Sequence, residues 1–381
     1  MARIVVGSYM VRYPLGGMLS WVLQYLTGFR KLGHDVYFVE KYGYPDSCYD
    51  PEKGIMSDDC GYGTSVVSDL LARHGLAGRW CFVARSGDYH GMTKREIEAV
   101  FRSADLFVDM GTHGAWQEES TCAAQTAMVD GEPGFTQIKM ANNHAEGMPL
   151  PVYDHYFTTG KNIGRKGNPA PDLGISWRYL YHPVDTDLFN PVPTVRGAPY
   201  TTVMNWQSHQ PIRFHDKVFG QKDLEFVHFL SLPKRVRAPF ELAISGKNVP
   251  KEKLLESNWK VLNAHHITRS FDSFRDFITY SRGEFSVCKN VFVANKTAWF
   301  SDRSAAFLAS GRPVVLQETG FSQFLPTGKG LFAVSTLEEA ITAIEAIEAD
   351  YSLHSIAARE IAQDVLESGI VLKGFLDEIG L

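Results

Sequence analysis

The chain has 381 residues, which at roughly 150 residues per domain reads as two domains. Apolar residues at 44 % and charged residues at 21 % exclude a wholly disordered chain. Thirty-eight basic against forty-three acidic residues leave a net charge of −5, which argues against bulk-charge binding to nucleic acid or an anionic membrane but leaves room for a local basic pocket.

The opening Met-Ala-Arg-Ile-Val-Val-Gly reads as a strand, not an apolar leader, with Ile4–Gly7 as its core. The loop Val11-Arg12-Tyr13-Pro14-Leu15-Gly16-Gly17 follows. Apolar residues then fall at 15, 18, 19, 22, 23, 26, 29 and 32, the rhythm of a helix burying one face, with Gly33 as its stop. Asp35–Glu40 is the next strand, and strand–Gly-rich loop–helix–strand predicts a parallel βαβ unit. Strands are expected at 104–109, 126–130 and 153–157. From about 160 to 200 the chain turns rich in Gly, Pro and Asn. Strands are expected again at 201–204, 241–244, 259–262 and 313–316, and helices at 304–310, 337–349 and 355–366. The expected architecture is two α/β domains joined near 185–195 by a Pro-rich linker.

Several chemistries are excluded. The five cysteines, Cys48, Cys60, Cys81, Cys122 and Cys288, are odd in number and widely spaced, so no disulfide framework is expected. No run approaches 18 apolar residues, so no membrane span is expected and the chain reads as cytoplasmic. Gly61-Tyr62-Gly63 lacks the third glycine and the preceding strand of a dinucleotide fingerprint, and Gly328-Lys329-Gly330 lacks the P-loop spacing. His265-His266 would point opposite ways in a strand, so no zinc site is expected there. Asp185-Thr186-Asp187 has the form of a metal-holding pair. Lying between Pro183 and Pro191, it reads as turn-making Asp, and no metal is expected.

Three stretches carry a family likeness. His182-Pro-Val-Asp-Thr-Asp-Leu-Phe-Asn-Pro191 resembles the segment that joins the two domains of GT-B glycosyltransferases. Trp299-Phe-Ser-Asp-Arg-Ser-Ala-Ala-Phe-Leu-Ala-Ser-Gly-Arg-Pro-Val-Val315 is similar to their donor-site helix and the strand after it. Gln317-Glu-Thr-Gly-Phe321 occupies the place of their glycine-rich loop near the donor sugar. With Gly16-Gly17 as counterpart of the first strand–helix turn, the matches span about 1–40 and 180–335. The likeness is to a retaining, GT4-like or spore-protein-like branch, in which Arg opens the donor helix. Many retaining members carry a ribose-binding Glu three residues after that Arg; here the position is Ala306, and the other Glu of the family's pair has no clear match, with Glu284 or Asp302 as its substitutes.

The resemblance implies an α/β GT-B fold of two Rossmann-like domains facing across a cleft, residues 1–188 for the acceptor and 189–354 for the donor, with about 355–381 packing back on the first, and a hexosyltransferase that takes a nucleotide-sugar co-substrate and no metal or other cofactor. A diphosphate leaving group gathers charge as the glycosidic bond breaks, so the protein must offer fixed positive charge and N–H donors. Ser301, Asp302, Arg303 and Ser304 at a helix start are the implied site, with Ser301 or Asp302 as N-cap and Arg303 forked onto phosphate. Lys289 is the implied second cation, Glu284 the acceptor of sugar or ribose hydroxyls, and Thr319 and Gly320 the loop near the sugar. Gly16 and Gly17 allow close backbone approach to the donor at the carboxyl edge of a parallel sheet. His113, oriented by Asp109, is the expected base; His144, Asp88 and His90 are alternatives. Trp80, Phe82, Tyr89 and Trp116 read either as an aromatic acceptor surface or as core. A GT-B epimerase or hydrolase acting on the sugar nucleotide, or a silent sugar-nucleotide-binding module, fits the same residues. Acceptor, nucleotide, stereochemical outcome and oligomeric state are left open.

Overall fold

The computed structural model describes every residue except Arg196 and His209. Its first sheet has eight strands in the order β10-β9-β8-β7-β1-β2-β5-β6. These are β1 (Arg3–Gly7), β2 (Asp35–Lys41), β5 (Trp80–Val83), β6 (Tyr89–Gly91), β7 (Leu106–Asp109), β8 (Thr126–Asp130), β9 (His155–Thr158) and β10 (Trp177–Tyr179). A small hairpin, β3 (Cys48–Asp50) and β4 (Ile55–Ser57), stands apart. All neighbours in the large sheet are parallel except β5 and β6. Ile4, Val5 and Val6 are fully buried, as a central parallel strand covered on both faces requires.

The second sheet is wholly parallel, in the order β15-β14-β11-β16-β17-β18. Its strands are β11 (Tyr200–Asn205), β14 (Phe240–Ser245), β15 (Lys260–Asn263), β16 (Gly283–Ser286), β17 (Val314–Gln317) and β18 (Leu331–Val334). A hairpin of β12 (Ile212–Phe214) and β13 (Lys217–Phe219) follows β11. The two α/β units form the GT-B arrangement.

In each sheet the chain reverses its direction of travel at one place: between β1 and β7 in the first, between β11 and β16 in the second. Ligands of open α/β sheets bind beyond the carboxyl ends of strands at such reversals. Gly7 allows the first one to close up. A Cβ there would lie 2.8 Å from Thr112 Cγ2 and 2.9 Å from the Phe107 ring.

Residues 180–195 lead from the first sheet toward the second with no helix or strand among them, held by Val184, which pairs with Glu367. Val184 N donates to Leu366 O and Ser368 N to Val184 O, both at 2.8 Å. The helix expected over 355–366 spans Tyr351–Ile361 instead, capped early by Asp350, whose Oδ1 accepts from Leu353 N at 3.1 Å. It passes through a wide turn, Ala362–Leu366, and breaks at Glu367. The final helix, Ser368–Ile379, then lies on the first unit's helix Gly16–Lys31, with Phe375 packed on Phe29 and Phe157.

Candidate functional site

Beyond the carboxyl end of β11 the chain makes the β12–β13 hairpin and enters the short helix Lys222–Phe226. Lys222, its first residue, is only 8 % exposed. Burial, and then the charges of Arg303 and Lys289, bring its pKa from the ordinary 10.5 down to about 7, against the opposing pull of Cys288 and Glu284. Glu225, in the same helix, holds it in place: Oε1 accepts from Asn290 Nδ2 at 2.7 Å and Oε2 from Gln317 Nε2 at 2.5 Å. A lysine at a helix start also opposes the helix dipole. Three cations thus converge where β11 and β16 end.

The structure redirects several residues expected to meet the donor directly. Arg303 does not stand as an open fork. Its Nε donates to Glu284 Oε1 at 2.6 Å, Nη1 to Val203 O at 2.7 Å and Nη2 to Ser286 Oγ at 2.5 Å, so it is tied to the sheet. Glu284 is fully buried; Oε1 serves Arg303, and Oε2 has no partner. Lys289 reaches across to Glu132 of the first unit, at 2.5 and 2.7 Å. Ser301 is the N-cap of the helix Asp302–Ala309, but its side chain makes no capping bond. Ser304 Oγ is buried without a partner. Asp302 opens that helix, and its charge helps raise the pKa of Tyr9 and Tyr25, both of which burial already pushes up. Thr319 and Gly320 brace the loop ahead of this helix: Thr319 Oγ1 donates to Trp299 O at 2.6 Å, and a Cβ on Gly320, where φ is 103°, would lie 2.9 Å from Asn162 Nδ2.

Gly16 serves the domain junction. A Cβ there would lie 2.4 Å from Ser270 O and 2.5 Å from Phe274 Cβ, so the missing side chain lets the helix Phe271–Tyr280 close on the first unit. Gly17 is looser, with Phe274 at 3.9 Å. Asp109 makes no direct hydrogen bond to His113. Its oxygens accept from Gly111 N, Thr112 N, Thr112 Oγ1 and Tyr153 Oη at 2.6 to 3.0 Å, so it fixes the loop. His113 sits on that loop with a left-handed φ of 54°, reachable by solvent yet ringed by protein; desolvation, then Lys139, lowers its pKa. Glu40 ties down the neighbouring loop by accepting from the backbone N–H of Met10, Val11 and Arg12 at 2.6 to 3.0 Å, and from Arg12 Nε at 2.9 Å. The sequence alone did not single it out.

Between the units lies a chain of rings: Tyr9 to Trp21 at 5.9 Å, Trp21 to His182 at 6.5 Å, and His182 to Trp299 at 6.5 Å between centroids. Trp21 Nε1, His182 Nδ1 and Trp299 Nε1 are buried without partners, as is Tyr25 Oη. Burial lowers the pKa of His182, against the charges of Asp302 and Glu132. Native folds rarely leave such atoms unpaired without a ligand, a water or strain to explain them. A junction with several of them beside two carboxylates has the chemistry to hold hydroxyl groups.

Asp185 and Asp187 both pair with Lys31, and Asp185 N donates to Gln24 Oε1 at 2.5 Å, so the Asp-Thr-Asp stretch fastens the crossover to the helix Gly16–Lys31. Replacing both by Asn is expected to lower stability by about 1–2 kcal/mol and leave nucleotide affinity unchanged, checked by denaturant titration and calorimetry. Among the described residues no cluster of three or more His, Cys, Asp or Glu is placed to hold a metal, and no helix is long and apolar enough to cross a membrane.

No family model and no curated protein matches the chain in sequence. In structure it is similar to proteins of the GT-B fold along its whole length. An α-glucosyltransferase solved with UDP and a DNA 13-mer has a TM-score of 0.60 at 10 % identity, with 100 % of both chains covered. HepE of Anabaena, solved with UDP and glucose, gives 0.59 at 11 %, again with 100 % of both covered. The sucrose-phosphate synthase of Thermosynechococcus elongatus gives 0.55 at 12 %, covering 100 % of this chain and 99 % of that one. The GT-B fold is therefore established; at 9–12 % identity no branch within it is distinguished.

Proposed function

We propose that the chain is a glycosyltransferase that moves a hexosyl group from a nucleoside diphosphate sugar to an acceptor hydroxyl without a metal ion. The observation that carries this reading is the convergence of Lys222, Lys289 and Arg303 at the β11/β16 reversal, beside the start of the helix Asp302–Ala309. A diphosphate placed there meets Lys222 and Lys289 directly, while Arg303 adds its charge from the sheet. Its arrival restores the proton on Lys222 and draws Lys289 from Glu132, which frees that carboxylate for a sugar hydroxyl. As the glycosidic bond breaks, the cations take up the charge on the leaving oxygens. His113, its pKa lowered by desolvation and then by Lys139, accepts the acceptor's proton, and Asp109 positions it through the loop. Residues 1–188 serve the acceptor, 189–354 the donor, and 355–381 return to the first domain. Solved structures of the same fold that hold UDP, or UDP-glucose, support the choice of ligand class.

The test is a thermal-shift series with UDP, GDP, ADP and the matching nucleosides. A ligand of the native state at about 100 times its Kd adds about 2.7 kcal/mol, a rise of several degrees. One nucleoside diphosphate is expected to give that rise and its nucleoside much less; no shift with any of them overturns the reading. Lys289→Ala is expected to weaken the diphosphate about tenfold and leave the nucleoside unchanged. An equal loss for both would remove Lys289 from the phosphate site.

A further inference from the structure

We infer that the first domain carries a second anion site, separate from the Lys222 cluster, built from Lys161 and Arg165 to take a phosphate group. The site is a cavity of about 250 Å³ in the loop after β9, walled also by Trp177, Tyr179 and Ser176, and no carboxylate lines it. The Lys161 ammonium stands 4.7 Å from the ring centre of Phe324, 4.9 Å from Tyr179 and 5.4 Å from Tyr181. The Arg165 guanidinium stands 4.7 Å from Phe324. Neither side chain makes an ion pair or hydrogen bond within the described residues. Aromatic faces hold a cation in place without neutralising it. The Arg178 guanidinium faces the other way, over the Phe157 ring at 5.8 Å and donating to the Glu378 carbonyl at 2.9 Å, so it is not one of the site's cations. The loop's own acid, Asp172, is engaged with Gly174 N at 3.0 Å. Burial and the charge of Arg165 lower the pKa of Lys161, and no acid offsets them.

The loop is anchored. Gly160 pairs with Trp299, Asn162 Nδ2 donates to Lys296 O at 2.9 Å, and Asn168 Nδ2 donates to Asn295 O at 3.0 Å. The two cations are therefore presented from a fixed frame, at the rim that also carries Gly320 and Phe324. Like charges held together without a counter-ion repel, and a dianion removes that cost while the Arg165 guanidinium plane binds two of its oxygens. The site stands independently of the glycosyltransferase reading; its use for a phosphate carried by the acceptor rests on that reading.

The experiment titrates the full chain with inorganic pyrophosphate by calorimetry. Wild type is expected to bind two equivalents, Lys161→Gln/Arg165→Gln one, Lys222→Met one, and the triple variant none. Binding at the second site is expected to weaken at least about tenfold in the Lys161/Arg165 variant, whose circular dichroism and melting temperature should match wild type because both side chains are solvent-accessible. Glycerol 3-phosphate and vesicles of phosphatidylcholine with or without phosphatidic acid then separate the sources. Loss of glycerol 3-phosphate binding in this variant marks a soluble phosphate ester; loss confined to the phosphatidic acid vesicles marks a lipid headgroup; either supports the site. If the Lys161/Arg165 variant binds all three probes as wild type does, the proposal is overturned. If Lys222→Met alone leaves pyrophosphate binding unchanged, the donor reading fails and this site stands.

Discussion

Replacing Lys222 by methionine is expected to weaken nucleoside diphosphate binding about 100-fold and to raise the melting temperature of the unliganded protein. A buried ammonium that faces two other cations costs free energy in the empty site. Methionine has a similar length and no charge, so it removes that cost and keeps the packing. The same charge, given a diphosphate, forms charge-assisted bonds worth about 1.5–3 kcal/mol each. Loss of binding with gain of stability is a pattern that a merely structural lysine does not give. If Lys222→Met lowers stability and leaves binding intact, Lys222 is part of the scaffold and the diphosphate site lies elsewhere.

The pH dependence follows from the same residue. Between pH 7 and 10.5 the unfolded chain holds the Lys222 proton and the free native protein has lost it, so this group makes stability rise with pH across that window. Below pH 7 both states hold the proton, and its destabilising contribution is constant. A bound diphosphate lifts the pKa again, so binding near pH 8.5 takes up a proton and weakens as pH rises toward 10.5. Calorimetry in buffers of different ionisation enthalpy should read this uptake in wild type and lose it in Lys222→Met. No difference between the two proteins would detach the low pKa from the ligand.

The frame was legible because parallel strands buried on both faces are continuous apolar runs. Ile4–Gly7, Asp35–Glu40 and Thr126–Asp130 stood out for that reason, and so did the helix after Gly17. Leu331–Val334 was not read as a strand from the sequence, although it pairs with β17 along its whole length. The site was less legible because its side chains answer to partners distant in sequence. Arg303 was visible as a cation at a helix start, but that it serves Glu284, Val203 and Ser286 depends on how β11 and β16 lie side by side. Lys222 gave little local signal, since its helix has only five residues and the charges that act on it come from positions 289 and 303. Trp21, His182 and Trp299 come from a helix, the crossover and a loop, and only the closing of the two units makes them neighbours.

Phe375→Ala is expected to lower the unfolding free energy by about 3–5 kcal/mol, the range for removing a buried aromatic ring. The ring is 2 % exposed and lies between Phe157 of β9, at 4.6 Å, and Phe29 of the helix Gly16–Lys31, at 6.0 Å between centroids. It fastens the last helix of the chain to the first unit, with Val371, Leu372, Leu376 and Ile379 buried beside it. Gly28 offers a second approach to the same contact from the opposite side. A Cβ there would lie 2.6 Å from Leu372 Cδ1 and 2.8 Å from Ser368 Cβ, so Gly28→Ala must push the final helix outward without removing any apolar group from it. Both variants should therefore shift the denaturation midpoint down while nucleotide affinity, set by residues around Lys222, changes less than about twofold at low temperature. Phe375→Leu should recover most of the loss, because packing rather than aromaticity carries the contact. If Phe375→Ala costs less than about 1 kcal/mol, the tail rests on the first unit without holding it, and the crossover at Val184 must fasten the two halves of the chain by itself.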